Sequence, residues 1–153
     1  AEVEALLKIN ATFIAVDGTY RIREKQYTGP DYIKKIKKMY PKILVMADIA
    51  TSQEAFACYE AGADCISTTL CGYTPDTVFV NQEYPSFSLL EECIKFVPRD
   101  FPIMAEGRFN KPEYAAQAIE NGAWAVIVGT SITRPQIITR WYVNAIKKKV
   151  GQI

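Results

Sequence analysis

Pro102-Ile103-Met104-Ala105-Glu106-Gly107-Arg108 and its echo Ala125-Val126-Ile127-Val128-Gly129-Thr130 decide how this chain is read. Each is a short apolar run of the kind carried by a strand buried on both faces, and each stops abruptly at a polar or glycine position. The first ends in a carboxylate followed by Gly-Arg, the second in Gly-Thr. Strands of a βα barrel display their chemistry at their C-terminal ends, and an anion fits where glycine lets backbone N–H groups approach. The pair therefore predicts a phosphate cradle with an acid beside it.

Outward from these runs the same grammar recurs. Phe13-Ile14-Ala15-Val16-Asp17 and Ile43-Leu44-Val45-Met46-Ala47-Asp48 read as strands ending in carboxylates, and Cys65-Ile66-Ser67-Thr68-Thr69 reads as another. Ala1 to Ile9 reads as the tail of a helix with Val3, Leu6, Leu7 and Ile9 on its apolar side. Asp31 to Tyr40 predicts a helix with Ile33, Ile36 and Tyr40 on one face and Lys34, Lys35, Lys37 and Lys38 on a solvated one. Thr51-Ser52-Gln53-Glu54 is a capping-box pattern opening a helix that Gly62 stops, and Ser88-Leu89-Leu90-Glu91 is a second, opening a helix to about Val97. Asn110 to Glu113 is expected to cap a helix with Ala115, Ala118, Ile119 and Gly122 on one face. Pro135 opens a final helix with Trp141 and Ala145 facing inward. Between them, Leu70 to Ser86, with Gly72, Pro75 and Pro85, reads as an extended loop of lid-like length.

An internal repeat supports this parsing. Ala47-Asp48, Glu54 and Glu60-Ala61-Gly62-Ala63 are echoed by Ala105-Glu106, Glu113 and Glu120-Asn121-Gly122-Ala123. Both copies run from strand through polar loop and helix to Gly-Ala and the next strand, which means a parallel sheet with its helices outside. Strand ends at Asp17, Asp48, Thr69, Glu106 and Gly129 fall short of the eight strands of a closed barrel. The expectation is an α/β chain forming one domain over residues 1–153, the C-terminal portion of a (β/α)8 barrel, about strands 4 to 8. The alternative is an open sheet with exposed edges.

Composition narrows the function classes. At 153 residues and 49% hydrophobic, the chain is long enough for one real core. Lys plus Arg number 18 against 17 for Asp plus Glu, so no global field points to nucleic acid or a membrane surface. No apolar run approaches the roughly 20 residues of a membrane span, and the N-terminus shows no signal-peptide pattern; a cytoplasmic protein is expected. Cys58, Cys65, Cys71 and Cys93 have no metal-site spacing and read as buried, reduced thiols. The absence of histidine removes imidazole acids and bases, leaving Asp, Glu, Lys, Tyr or Cys for any proton transfer.

Four motifs in order carry a resemblance: Met46-Ala47-Asp48-Ile49-Ala50-Thr51, Ser67-Thr68-Thr69-Leu70-Cys71-Gly72-Tyr73-Thr74, Ala105-Glu106-Gly107-Arg108, and Val128-Gly129-Thr130-Ser131-Ile132-Thr133-Arg134-Pro135. Over essentially its whole length the chain resembles the N-acetylmannosamine-6-phosphate 2-epimerase family. The resemblance implies a barrel of the phosphate-binding type that interconverts N-acetylmannosamine 6-phosphate and N-acetylglucosamine 6-phosphate in sialic acid breakdown. It implies no metal or organic cofactor and a small sugar-phosphate partner rather than nucleic acid or membrane, and it leaves a homodimer open. In that chemistry the open-chain sugar loses its C2 proton beside the C1 aldehyde and regains it on the opposite face, so the site needs an acid/base group and oxyanion stabilisation.

Carried over position by position, the resemblance makes Glu106 the carboxylate that works beside or opposite a lysine at C2. Asp48 orients the sugar or that lysine, and Asp17 binds a sugar hydroxyl. Thr69 joins the strand-end binding set, Gly107, Arg108, Gly129 and Thr130 hold the 6-phosphate, Arg134 approaches from the final loop, and Tyr73 belongs to the lid. Cys71 stands where relatives are expected to carry Ser. The lysine, and a substrate-binding arginine, belong to upstream strands that this sequence does not contain. Blander alternatives stay open: Asp17 pairing with a basic neighbour, Tyr73 as a loop anchor, Gly129-Thr130 serving only tight packing. So do another phosphate-binding barrel enzyme and a non-catalytic sugar-phosphate-binding partial barrel.

Overall fold

The computed structural model describes residues 2–23, 26–80 and 82–150; Ala1 of the first predicted helix and Asn81 of the long loop lie outside them. The apolar runs become β1 (Phe13–Asp17), β2 (Leu44–Asp48), β3 (Cys65–Ser67), β4 (Ile103–Glu106) and β5 (Ala125–Ile127). They form one five-stranded sheet in the order β1-β2-β3-β4-β5, every pair parallel. Strands taken in sequence order with right-handed crossovers put all connecting helices on the same side of the sheet. The burial pattern agrees: paired Ile14 and Val45 are 5% and 0% exposed, whereas their paired neighbours Phe13 and Leu44 are each 47% exposed.

The helices are α1 (Glu2–Lys8), α2 (Gly29–Met39), α3 (Ser52–Glu60), α4 (Phe87–Phe96), α5 (Pro112–Glu120), α6 (Thr130–Thr133) and α7 (Pro135–Val150). One core joins the covered face of the sheet, Val45, Ala47, Ile66, Ile103 and Ala105, to Ile33 and Ile36 of α2, Ala55 and Cys58 of α3, Leu89, Leu90 and Cys93 of α4 and Ala118 of α5. All four cysteines are free and buried. Among the described residues no helix is long and apolar enough to cross a membrane.

The capping box at Thr51 forms as predicted: the Thr51 side chain accepts from the Glu54 N–H, and the Glu54 carboxylate accepts from the Thr51 N–H. Glu54 also takes the N–H groups of Ala50 (2.9 Å) and Tyr20 (2.9 Å), so one buried carboxylate ties together the turns that follow β1 and β2. At Gly62 the backbone enters the left-handed region (φ 93°), which ends α3 where glycine was expected to end it.

Several expectations need correction. Helix α2 starts earlier than Asp31, because Thr28 and Asp31 make their own capping box and Pro30 fits the first turn. The predicted box at Ser88 and the predicted cap at Asn110 do not form: α4 follows Ser86 and α5 follows Lys111, neither with a side-chain cap. The strand predicted to reach Thr69 ends at Ser67, and the last strand ends at Ile127 rather than Gly129. Lys37 is not part of the solvated face. Its ammonium donates to Asp64 (2.8 Å) and the Ile43 carbonyl (2.9 Å), fastening α2 to the entry of β2. Ile9, Leu6 and Ile119 are exposed, and α7 buries no residue at all, so Trp141 and Ala145 do not face a core. Helix α7 lies beyond the edge strand β5 and packs mainly on α6. The long loop is not wholly irregular, holding a 3-10 turn at Pro75–Thr77.

Glu54→Ala is expected to destabilise the fold by about 2–4 kcal/mol, measured by urea unfolding, because three main-chain donors lose their acceptor at once.

Candidate active site

The parallel register sets the side chains at the strand ends. Asp17 pairs with Asp48, Asp48 with Ser67, and Glu106 ends β4, so three carboxylates collect at the C-terminal edge of the sheet. Each meets a different environment.

Asp17 is satisfied locally. It accepts from the Thr19 N–H (2.9 Å) and hydroxyl (2.7 Å) and forms ion pairs with Arg21 (2.5 Å) and Arg23 (3.2 Å). Burial alone pushes its carboxyl up, but the Thr19 hydrogen bonds and the two guanidinium charges outweigh it and hold Asp17 below the usual aspartate value. The alternative of pairing with a basic neighbour is the arrangement found.

Asp48 is the opposite case. Burial first, then the negative charges of Glu106 and Asp17, push it up to about 7, with the Ser67 hydroxyl opposing them. Its Oδ1 is buried and, among the described residues, has no hydrogen-bond partner. Glu106 is held on both its main chain and its side chain. Its Oε2 accepts from the Ser67 hydroxyl (2.7 Å), while its N–H donates to Thr68 Oγ1 (3.0 Å) and its carbonyl accepts from the same hydroxyl (2.9 Å).

Beside Glu106 opens a cleft of about 910 Å³. Its walls gather Thr69, Tyr73, Glu106, Gly107, Arg108, Gly129, Thr130 and Arg134 from three separate strand ends; Asp17 and Asp48 are not among them. The chain leaves β4 through two left-handed residues, Gly107 (φ 103°) and Arg108 (φ 63°), a turn that glycine permits and a longer side chain resists. At Gly129 a Cβ would meet nothing within 4 Å, so tight packing is not what calls for glycine there. Arg134 is exposed and, among the described residues, forms no ion pair.

The Arg108 side chain is engaged by the neighbouring loop. Its guanidinium donates to the carbonyls of Cys71 (2.8 Å) and Tyr84 (3.0 Å) and to Gln82 Oε1 (3.2 Å), and lies 5.6 Å from the centre of the Tyr73 ring. Asn110 adds a bond to the Glu83 carbonyl (3.1 Å). The loop after β4 thus clasps the long loop after β3, and the Arg108 side chain acts as a strut.

Sequence reasoning passed over Ser67, Thr68 and Lys111. Ser67 and Thr68 hold Glu106, and Lys111 lines the cleft with its ammonium 5.5 Å from the centre of the Tyr114 ring. Its place as the polar end of the Cys65-Ile66 run could have flagged Ser67; nothing local marks Lys111. Among the described residues no group of three or more His, Cys, Asp or Glu side chains is arranged to hold a metal ion.

Residues 1–148 match the family described as "Putative N-acetylmannosamine-6-phosphate epimerase". A relative of that name, a 2-epimerase from Caldanaerobacter subterraneus subsp. tengcongensis, is 44% identical over 148 residues, covering 97% of this chain and 61% of the relative. One from Shouchella clausii is 40% identical over 146 residues, covering 95% and 63%. The solved structure of the N-acetylmannosamine-6-phosphate 2-epimerase from Clostridium perfringens superimposes with a TM-score of 0.81 at 40% identity, over 94% of this chain and 60% of that one. The chain therefore spans about three-fifths of the length of the curated relatives it matches.

Two outcomes follow from this geometry. Asp48 binds a proton more tightly folded (about 7) than unfolded (3.8), so its contribution to stability is present at low pH and is lost as pH rises between those values. Asp48→Asn should therefore flatten the pH dependence of stability in that window and raise stability at pH 8 by about 1–2 kcal/mol, read by denaturant titration at several pH values. Arg108→Ala should speed amide hydrogen exchange across residues 70–86, leaving α2 and α3 unchanged.

Proposed function

Since this chain belongs to the N-acetylmannosamine-6-phosphate epimerase family, we propose that it supplies the phosphate grip and one acid/base group of an enzyme interconverting N-acetylmannosamine 6-phosphate and N-acetylglucosamine 6-phosphate. The observation that carries this reading is the convergence, in one cleft, of Glu106 with Gly107, Gly129, Thr130 and Arg134. The open room at Gly129 and the unpaired charge of Arg134 suit a doubly charged phosphate. With the phosphate anchored there, the sugar extends toward Glu106, the carboxylate fixed by Ser67 and Thr68.

Removal of the C2 proton leaves an enolate conjugated with C1, so a base must reach C2 and a donor must meet the growing charge on O1. In this proposal Glu106 is the acid/base group on one face. Asp48 orients the sugar or the group that works the opposite face, a lysine brought by strands beyond those present here. Asp17, already held by two arginines, stands at the rim. Tyr73, fixed by Arg108, closes the cleft from the long loop, which lowers the local dielectric around the reacting atoms.

The uncovered sheet face supports a finer statement on architecture. Phe13 and Leu44 lie bare on it, and β1 and β5 are open edges. Further parallel strands joining those edges complete a (β/α)8 barrel in which these five are about strands 4 to 8 and residues 1–153 form part of a single domain. The setting proposed is the cytoplasm, in amino-sugar breakdown.

In the closed barrel, Glu106→Gln should slow solvent-deuterium exchange at C2 of N-acetylmannosamine 6-phosphate by about 10²–10⁴-fold while leaving its binding within a few-fold. Arg134→Ala should do the reverse, weakening binding about tenfold or more. NMR of the exchanging sugar reads the first and calorimetry the second; exchange undiminished in Glu106→Gln would remove Glu106 from the chemistry.

A further inference from the structure

Gln82 lies on the loop that follows β3, exposed on the wall of the cleft. Three hydrogen bonds hold its side-chain amide. Nε2 donates to the carbonyls of Gly72 (2.8 Å) and Val80 (3.2 Å), and Oε1 accepts from the Arg108 guanidinium (3.2 Å). Reversing the amide would turn its oxygen toward two carbonyls and its NH2 toward a guanidinium, so the network itself fixes the orientation. A Cβ at Gly72 would collide with Gln82 Nε2 and stand 2.8 Å from Arg108 Nη1, so glycine is what lets both side chains come this close to the loop. Arg108 is in turn anchored on the Cys71 (2.8 Å) and Tyr84 (3.0 Å) carbonyls. Both β3 and β4 are inner strands, so the loops that build this network have sheet neighbours in place on either side.

The bonding capacity of the amide is unevenly used. Its NH2 carries two protons, and the Gly72 and Val80 carbonyls take both. Its oxygen carries two lone pairs, and among the described residues only Arg108 engages one. What Gln82 can still offer a ligand in the cleft is therefore an acceptor, held in a set direction. Tyr73 lines the same stretch of wall, its ring centre 5.6 Å from the Arg108 guanidinium.

The order of groups around the rim supplies the ligand chemistry. Gly129 and Thr130 follow β5, Glu106 ends β4, and Gln82 belongs to the loop after β3, the neighbour of β4 on its other side. Under the function proposed above, on which this inference rests, the phosphate on C6 lies at the first position and C2 at the second. The substituent bonded to C2 is the acetamido group, which brings it to the third. We propose that Gln82 is a specificity-determining residue whose Oε1 accepts the N–H of the sugar's 2-acetamido group. Both epimers carry that N–H, so one acceptor serves either direction of the reaction. Gly72 and Arg108 act through Gln82 by aiming its oxygen.

The test is a comparison of two ligands on the full-length protein by calorimetry: N-acetylmannosamine 6-phosphate and 2-deoxyglucose 6-phosphate, which has no donor at C2. The readout is the ratio of their affinities. Gln82→Met, close in length but without an acceptor, should lower that ratio about tenfold, with the loss confined to the acetamido sugar. Gly72→Ala, which keeps Gln82 but drives its amide from the Gly72 carbonyl, should lower the ratio likewise. A loop that is merely loosened weakens both ligands alike; a ratio unchanged in either variant overturns the proposal. Failure of the epimerase reading is distinct, since it shows as binding of neither sugar phosphate by the wild-type protein.

Discussion

Parallel strands laid down in sequence order, with helical crossovers between them, are the constraint from which the rest of this structure follows. They send each helix to the same side of the sheet, so Ile14, Val45, Ile66 and Ile103 are sealed under α2 to α5 while Phe13 and Leu44 stay bare on the other face. They also bring every strand out at the same edge. Asp17, Asp48, Ser67 and Glu106, far apart in the chain, become neighbours because the strands are parallel and in register, not because any of them attracts another.

That convergence gathers three negative charges, and the structure deals with each by a different physical means. Asp17 is given counter-charges, Arg21 and Arg23, on its own following loop. Glu106 is given hydrogen bonds from the neighbouring strand through Ser67, with Thr68 bracing its main chain. Among the described residues Asp48 receives neither a cation nor a full set of donors, and burial beside like charges raises its affinity for a proton. Three strand ends that all read as a carboxylate in sequence thus become an ion pair, a held carboxylate and an acid that burial and like charges push above the ordinary aspartate value.

The walls of the cleft depend on a second convergence, between loops. The left-handed turn at Gly107 and Arg108 carries the chain away from β4 so that the Arg108 guanidinium reaches the main chain of the loop after β3, and Ser131 of α6 donates to the Phe109 carbonyl (3.0 Å). The loops that follow β3, β4 and β5 are therefore one linked rim.

The alternating strand and helix pattern, the carboxylates at strand ends, the Thr51 capping box and the Gly62 stop were legible in the sequence because they depend on local rules: apolar run length, hydrogen-bonding competence of short side chains, and freedom at positive φ. So was part of the cleft, since Glu106, Gly107, Gly129 and Thr130 close apolar runs with a carboxylate, a glycine or a hydroxyl, whereas Arg134, beyond α6, is implied only by the family resemblance. What the sequence could not decide is which donor meets which acceptor across strands and loops. The Lys37–Asp64 bond, the use of Arg108 as a strut, the exposure of α7 and the position of Ser67 between Asp48 and Glu106 all depend on distances set by register and crossover, between residues up to 39 positions apart. Local chemistry named the charged groups; only the tertiary arrangement fixed their partners, because an ion pair or hydrogen bond depends on separation and direction rather than on residue type.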